Sequence, residues 1–137
     1  MAAAAEHPCL LDRIHAYLPG WEMPKIRPEN YAAGYGFLTD YMAEIFSEIR
    51  RRNFQTHVSA RLDLSTMTGR NQDAVKKTVA GLMKLLHPHR SPDTLTREEL
   101  VPLVELGVEM RKRVTDQLAI VLPSEFGLAD YAYQIKE

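Results

Sequence analysis

Apolar side chains at helical spacing dominate three segments of this 137-residue chain and favour a mainly α-helical fold. Residues three and four positions apart share one face of a helix, so a stripe of this period marks the side that packs on a core. The stripes comprise Phe37, Leu38, Tyr41, Met42, Ile45, Phe46 and Ile49; Ala74, Val75, Thr78, Val79, Leu82, Met83, Leu85 and Leu86; and Leu100, Leu103, Val104, Val108, Met110, Val114, Leu118 and Val121. We predict a helical bundle with these stripes in its core.

Capping signals predict where the second and third helices begin. Asn71 is a suitable N-cap for the second helix. Thr96, followed three residues later by Glu99, forms a capping-box pattern at the start of the third. Pro102 interrupts that third pattern and removes one backbone donor, which predicts a kink or a start nearer Pro102. Residues 54–64 are interpreted as a short helix or an irregular connector.

The end of the chain carries a strand pattern. Tyr131, Tyr133 and Ile135 alternate in ADYAYQIKE, as the residues on one face of a strand do. Nothing else in the sequence is identified as a partner for this strand. We therefore interpret it as the first strand of a further domain.

Composition limits the classes of protein to consider. The net charge is −1, from 17 basic and 18 acidic residues, which argues against a dedicated nucleic-acid coat protein. Cys9 is the one cysteine, so a reducing compartment is expected. No apolar run approaches the roughly 20 residues that a membrane helix needs, and the first residues lack the basic region of a secretory signal. We expect a cytoplasmic protein without a membrane partner.

Motifs that would complete an active site are absent from this sequence. It contains no GxxxxGK[ST] phosphate loop, no HExxH and no GxSxG. His87 and His89 stand two residues apart without further ligands, which favours a solvated helix end over a metal site. We expect no metal site and no ATP hydrolysis by this chain alone.

Four ordered motifs carry a resemblance to a known family. PCLLDRIHAYLPGWEMPK resembles the segment that closes the large ATPase subdomain of Lon-type AAA+ proteins. GYGFLTDYMAEIFSEIRRRNF, NQDAVKKTVAGLMKLLHP, and TREEL followed by EMRKRVTDQL are similar to one branch, the Lon-protease-like family of BREX phage-defence systems. The resemblance runs from about Pro8 to Tyr133, and the ordered set is more specific than any single motif.

The resemblance implies an AAA+ motor, a helical lid and a Lon-like domain in the full-length protein. It assigns residues 1–30 to the end of the motor, 31–122 to a bundle that resembles the C-terminal AAA+ lid, and 123–137 to a linker and the first strand of the next domain. It also implies ATP and magnesium as cofactors of the full-length protein, other subunits of a ring as partners, and DNA as a candidate substrate. For the isolated chain we expect no cofactor.

The resemblance also implies two site residues. Arg13 stands where such proteins place an arginine that reaches the ATP of the neighbouring subunit, and a guanidinium there stabilises charge on the transferring phosphoryl group. The alternative is a surface ion pair of Arg13 with Asp12 or Glu22. Lys76 stands where lids often carry an arginine that contacts nucleotide of the same subunit. A lysine keeps the charge but lacks the bidentate fork, so a solvated helix face is the favoured interpretation.

Other prominent residues receive structural interpretations. Trp21 is predicted to anchor the core of the lid, with a subunit-interface wedge as the alternative. The arginines at 50–52, with Arg61, are a candidate nucleic-acid patch, although cations also suit a helix C-terminus. The basic residues at 111–113 are interpreted in the same way. Two other functions stay open: a stand-alone helical interaction module, acting as an adaptor or inhibitor, and a small helical nucleic-acid-binding domain.

Overall fold

The computed structural model describes residues 8–36, 38–127 and 129–136. The helices are α1 (Pro8–Leu11), α2 (Thr39–Arg51), α3 (Gln55–Arg61), α4 (Gly69–Leu86), α5 (Arg97–Val121) and α6 (Pro123–Phe126), and the strands are β1 (Leu62–Asp63) and β2 (Gln134–Ile135). Single turns of 3-10 helix lie at Gly20–Glu22, Pro28–Asn30 and Pro92–Thr94. The predicted class, mainly α with a short C-terminal strand, is confirmed.

The capping box predicted for α5 is present. The Glu99 N–H donates to the Thr96 hydroxyl at 3.3 Å, and the Thr96 N–H donates to the Glu99 carboxylate at 2.9 Å. These bonds satisfy backbone donors that the first turn of a helix leaves unpaired. The helix therefore begins at Arg97 and continues through Pro102, so the start nearer Pro102 that we considered is wrong.

Thr68, and not Asn71, is the N-cap of α4. The Thr68 side chain accepts a bond from the Asn71 N–H at 3.4 Å, and the helix begins at Gly69. Our assignment of Asn71 as the cap is thus wrong, because a threonine three residues earlier supplies the same kind of acceptor. Asn71 therefore lies within the first turn of α4 rather than before it, and it is buried, at 4% exposure.

Helices α4 and α5 approach closely at a glycine. A Cβ added to Gly107 would lie 2.9 Å from the Cγ2 atom of Val79, a buried side chain of α4. Glycine at this point of α5 therefore lets the two helices pack with little space between their backbones. The hydrophobic core of the protein contains Phe54, Val58, Leu62, Leu64, Met67, Val75, Val79, Ala80, Met83, Leu95, Leu100, Leu103, Val104 and Val108.

The C-terminal strand is paired within the chain. Strand β2 lies antiparallel to β1, with Leu62 opposite Ile135 and Asp63 opposite Gln134. Tyr131, Tyr133 and Ile135, which alternate in the sequence, pack against the core. The strand pattern was therefore interpreted correctly, but its partner lies in residues that we had assigned to a helix or connector. That this strand also begins a further domain stays a prediction.

The chain divides into two compact units, which are described separately. The first comprises residues 1–17 and 54–137 and includes α1, α3 to α6 and both strands. The second comprises residues 18–53 and includes α2. The boundaries that we predicted at residues 30 and 122 do not coincide with these units, and the assignment of the three segments to parts of a larger ATPase stays a prediction.

The second unit has little buried surface of its own. Helix α2 buries none of its residues, and Trp21 is 80% exposed. The predictions that Trp21 and the first apolar stripe lie in a core are therefore wrong within this chain; Phe37, the first member of that stripe, lies outside the described residues. In neither unit do the described residues include a helix with both the length and the apolar character needed to span a membrane.

Candidate functional site

An arginine on the buried face of α5 organises the polar centre of the first unit. Arg111 has 0% exposure. It stands three residues after Val108 and seven before Leu118, both buried apolar side chains of the same helix. A buried cation is costly unless hydrogen bonds and a counter-charge replace the water that it has lost.

The partners of Arg111 come from α4 and from the segment after α1. Its Nε donates to the Asn71 side-chain oxygen at 2.8 Å. Its Nη1 donates to two backbone carbonyls, that of Asp12 at 3.1 Å and that of Ile14 at 2.5 Å. Its Nη2 donates to the Asp12 carboxylate at 2.5 Å. All three nitrogens of the guanidinium are thus bonded.

Asp12 supplies the counter-charge and binds a second arginine. One carboxylate oxygen of Asp12 accepts from Arg111, and the other accepts from Arg70 in the first turn of α4. The Asp12 side chain is 14% exposed, so water screens its pairing with Arg111 only weakly. A second backbone bond, from the Tyr17 N–H to the Met110 carbonyl at 3.1 Å, holds the same segment on α5.

The network also reaches the C-terminal segment. The Asn71 amide donates to the Tyr131 hydroxyl at 3.5 Å, a long hydrogen bond, and the Tyr131 hydroxyl bonds to the Thr115 hydroxyl on α5. Burial raises the pKa of Tyr131, because the phenolate would be poorly solvated there. One connected set of polar groups therefore joins α4, α5, the segment around Arg13 and the residues before β2.

Arg13, the candidate arginine acting in trans, is exposed. Its backbone N–H donates to the Leu10 carbonyl at 3.1 Å, while the residues on either side of it contact Arg111. The surface ion pair with Asp12 that we considered is not formed, and the Asp12 carboxylate pairs instead with Arg70 and Arg111. The role of Arg13 toward nucleotide stays a prediction.

Lys76, the candidate nucleotide sensor, lies half-buried on α4, five residues after Asn71. The hydrogen bond from the Ser65 backbone is the main cause of the lowered pKa of Asp63, and the charge of Lys76 makes the smallest contribution. The adjacent Lys77 pairs with Asp73 at 2.6 Å and lowers the pKa of that carboxyl. No hydrogen bond or ion pair joins Lys76 to Arg13, so these two predicted site residues are not brought together directly.

The basic clusters take up different environments. Arg61 donates to the Leu95 carbonyl at 2.6 Å, and Arg51 pairs with Glu48 at 3.1 Å. Lys112 pairs with Asp116 at 2.6 Å, and Arg113 with Glu109 at 3.1 Å. Surface ion pairs of this kind agree with our interpretation of Lys112 and Arg113. The interpretation is wrong for Arg111, the fully buried member of that run.

A signal for Arg111 was present in the sequence. Numbered along α5, it falls on the same stripe as Val104, Val108 and Leu118, at helical spacing. A basic residue on an apolar stripe requires an acid or an amide opposite it. The identity of that partner could not be derived, because Asp12 is 99 residues away in sequence.

The described residues hold no cluster of three or more His, Cys, Asp or Glu side chains that could bind a metal ion. The two predicted site residues, Arg13 and Lys76, are cations, which can bind and orient a phosphate but neither attack it nor transfer a proton at neutral pH.

Comparisons with known proteins agree with the motifs. Residues 1–131 match the family model described as "Lon-like protease BrxL-like, ATPase domain". The chain is 37% identical over 132 residues to the Lon-like protease BrxL of Escherichia coli O9:H4 (strain HS), and 38% identical over 132 residues to that of Bacillus cereus (strain H3081.97). Each alignment covers 96% of this chain and 19% of the relative, so the chain spans about a fifth of the length of either relative.

Proposed function

This chain belongs to the BrxL-like family of Lon-like proteases, and from that membership we propose that it forms the helical lid and the adjoining end of the motor in a full-length ATPase. In that setting Arg13 reaches the nucleotide bound by the neighbouring subunit. Its guanidinium stabilises the charge that develops on the transferring phosphoryl group. The chain supplies one part of an active site that two subunits share.

One observation carries this proposal: Arg13 is exposed while its acidic neighbour is bound elsewhere. The Asp12 carboxylate pairs with Arg70 and Arg111 rather than with its neighbour Arg13. The backbone around Arg13 is nevertheless held by hydrogen bonds. A charged side chain that points into solvent from a fixed backbone is suited to contact a phosphate on another molecule.

The cofactors and partners that we propose belong to the full-length protein. ATP and magnesium would be bound mainly by residues outside this chain, because its sequence contains no phosphate loop. The partners are other subunits of a ring, working in BREX-type phage defence in the cytoplasm, with DNA as the candidate substrate. DNA-stimulated ATP turnover by the full-length protein would support that substrate, and turnover indifferent to DNA would contradict it.

The test uses a full-length chimera, in which this chain replaces the matching 132 residues of the E. coli relative. The unmodified chimera should hydrolyse ATP in the presence of magnesium. Arg13→Ala should lower that turnover by about 10³-fold or more, the range found for arginines acting in trans, with little change in nucleotide affinity. A chimera without any turnover would contradict the proposal that this chain can complete the ATPase.

A mixing experiment distinguishes action in trans from action within one subunit. Arg13→Ala subunits keep an intact phosphate loop, and subunits with a disabled phosphate loop keep an intact Arg13. Mixed rings should therefore regain turnover that neither variant shows alone. The control is Arg50→Ala, which removes an exposed arginine of α2 and should leave ATP turnover measured without DNA unchanged. Full turnover by Arg13→Ala alone would remove the trans-acting role.

Lys76 is proposed, with less support, as a contact to the nucleotide of its own subunit. Its half-buried position on α4 also suits a structural role. Lys76→Ala in the chimera should raise the KM for ATP if the proposal holds. An unchanged KM would leave Lys76 with the structural role alone.

A further inference from the structure

The backbone on both sides of Arg13 is held in place by one buried side chain. Arg111 Nη1 donates to the carbonyl of the preceding residue, Asp12, and to that of the following residue, Ile14. The N–H groups of Arg13 and Ile14 are bonded as well, to the Leu10 and Leu11 carbonyls at 3.1 Å and 3.0 Å. The three consecutive peptide units that join residues 12–13, 13–14 and 14–15 therefore each make a hydrogen bond.

We propose that Arg111 is the positioning residue for Arg13. Fixed in α5, its guanidinium sets the backbone from which the Arg13 side chain projects, and thereby sets the direction in which Arg13 reaches the neighbouring nucleotide. This inference rests on the proposed function of Arg13. It adds a residue that does not itself touch nucleotide, because Arg111 has 0% exposure.

The geometry requires an arginine at this position. The three nitrogens of Arg111 bond in three directions: Nε to Asn71, Nη1 to the two carbonyls and Nη2 to the Asp12 carboxylate. A planar guanidinium offers five donors in a fixed fork, which can fill these bonds together. A lysine keeps the positive charge near Asp12, but its single nitrogen carries three donors at one point and cannot span the same set.

Asn71 anchors the guanidinium on its other side. Its side-chain oxygen accepts from Arg111 Nε, and its own helix is capped by Thr68 immediately before it. The orientation of Arg111 therefore depends on α4 as well as on α5. The segment that carries Arg13 is therefore held by hydrogen bonds to a pair of helices that pack closely at Gly107.

A purely structural role for Arg111 predicts a different outcome from a positioning role. If Arg111 only stabilises the fold, its replacement impairs the whole subunit, including the way that subunit handles its own nucleotide. If Arg111 positions Arg13, its replacement impairs the site of the neighbour and spares the subunit's own. The mixing experiment described for Arg13 separates these outcomes.

The test is Arg111→Lys in the full-length chimera. Turnover should fall about a hundredfold, because misplacing a positioned group by about 1 Å costs on that order, while nucleotide affinity stays unchanged. Mixing with subunits that lack a working phosphate loop should restore turnover, as for Arg13→Ala. Arg113→Lys is the matched control: it changes a partly exposed arginine of the same helix, bonded to Glu109, and should leave turnover unaltered.

A second variant guards against misfolding of the first. Asp12→Asn keeps the shape of the side chain and the backbone carbonyl that accepts from Arg111, but it removes the negative counter-charge. It should lower turnover, as Arg111→Lys does, and mixing should again restore it. This inference is overturned, while the proposed function stands, if Arg13→Ala abolishes turnover but the other two variants do not lower it. The same conclusion holds if the other two variants lower turnover and mixing does not restore it. If Arg13→Ala has no effect, both are overturned.

Discussion

The two units of this chain carry similar apolar patterns but differ in how far they bury them. In the first, α5 buries side chains as large as Leu118 and Arg111 to 0% exposure. In the second, α2 carries an apolar stripe of the same period and buries none of it. The period of a stripe therefore identifies the face that requires a partner but does not tell whether that partner lies in the same chain.

The two units also use ion pairs differently. In the first, Arg111 and Asp12 pair with side-chain exposures of 0% and 14%. In the second, Arg51 and Glu48 pair at 3.1 Å with exposures of 79% and 61%. Water screens the second pair, whereas the first depends on its partners for nearly all of its solvation. The contact type is the same, and the energetic consequences of breaking it should differ by several fold.

The largest expected effect comes from breaking the buried pair. Asp12→Ala leaves a buried guanidinium without its counter-charge and should lower the free energy of unfolding by about 3–5 kcal/mol. Glu48→Ala, which breaks the exposed pair, should change it by at most about 1 kcal/mol. Urea unfolding of the 137-residue chain, followed by circular dichroism, measures both. Equal losses for the two variants would contradict the difference between the units.

A matched pair of leucines tests the same difference in apolar packing. Leu118 has 0% exposure in the first unit, and Leu38 is 77% exposed in the second. Leu118→Ala should lower the free energy of unfolding by about 3 kcal/mol through lost burial and the cavity left behind. Leu38→Ala should change it by less than about 0.5 kcal/mol. A large loss for Leu38→Ala would show that the second unit has a packed core in solution.

Local signals in the sequence predicted the elements of the first unit well. The Thr96 and Glu99 pattern identified the start of α5 because its two bonds join residues three apart, a distance that sequence alone defines. The stripes of α4 and α5 predicted most of the core, but Leu85 and Leu86 at the end of α4 are 56% and 59% exposed, so their assignment to the core is wrong. The cap of α4 was assigned to the wrong residue, because Thr68 and Asn71 are both good caps and only packing decides between them.

The candidate site could be predicted only in part, because it is built from contacts distant in sequence. The resemblance identified Arg13, but the bonds that hold its backbone come from Arg111, nearly a hundred residues later. Strand β2 was recognised by its alternation, whereas its partner, β1, is too short to show any. Trp21 was assigned to a core because tryptophans are mostly buried, a tendency that carries no information about which molecule buries them.

The caps of the two units should respond differently to acid. Hydrogen bonds, first from the Thr96 backbone and then from Arg90, lower the pKa of Glu99 at the start of α5. In the second unit Asn30, which does not titrate, accepts from the Arg27 N–H at 2.7 Å. A carboxylate whose pKa is lowered by folding stabilises the protein above its unfolded pKa of about 4.3, and that contribution is lost as the pH falls through the folded value.

Urea midpoints measured from pH 7 down to pH 3 test this expectation for Glu99. Glu99→Gln keeps the capping geometry but removes the titration, so its stability should fall less with acid than that of the unsubstituted chain. Asp73 also has a lowered pKa and contributes to the fall in both proteins, so only the difference between them reports on Glu99. Parallel curves would show that the α5 cap is no more sensitive to acid than the neutral cap.

The smallest expected effect concerns Trp21, the one tryptophan in the sequence. Because Trp21 is 80% exposed, its emission spectrum and its quenching by acrylamide should change little when urea unfolds the chain, although circular dichroism reports loss of the helices. Tyr35, at 109% exposure, serves as the matched position: Tyr35→Trp in a Trp21→Phe background should behave in the same way. Strong protection of Trp21 in the folded chain would mean that the second unit packs its apolar side chains without help. Free access of the quencher would mean that these aromatic side chains meet water in the isolated chain, and that whatever buries them in a longer protein must come from outside residues 18–53.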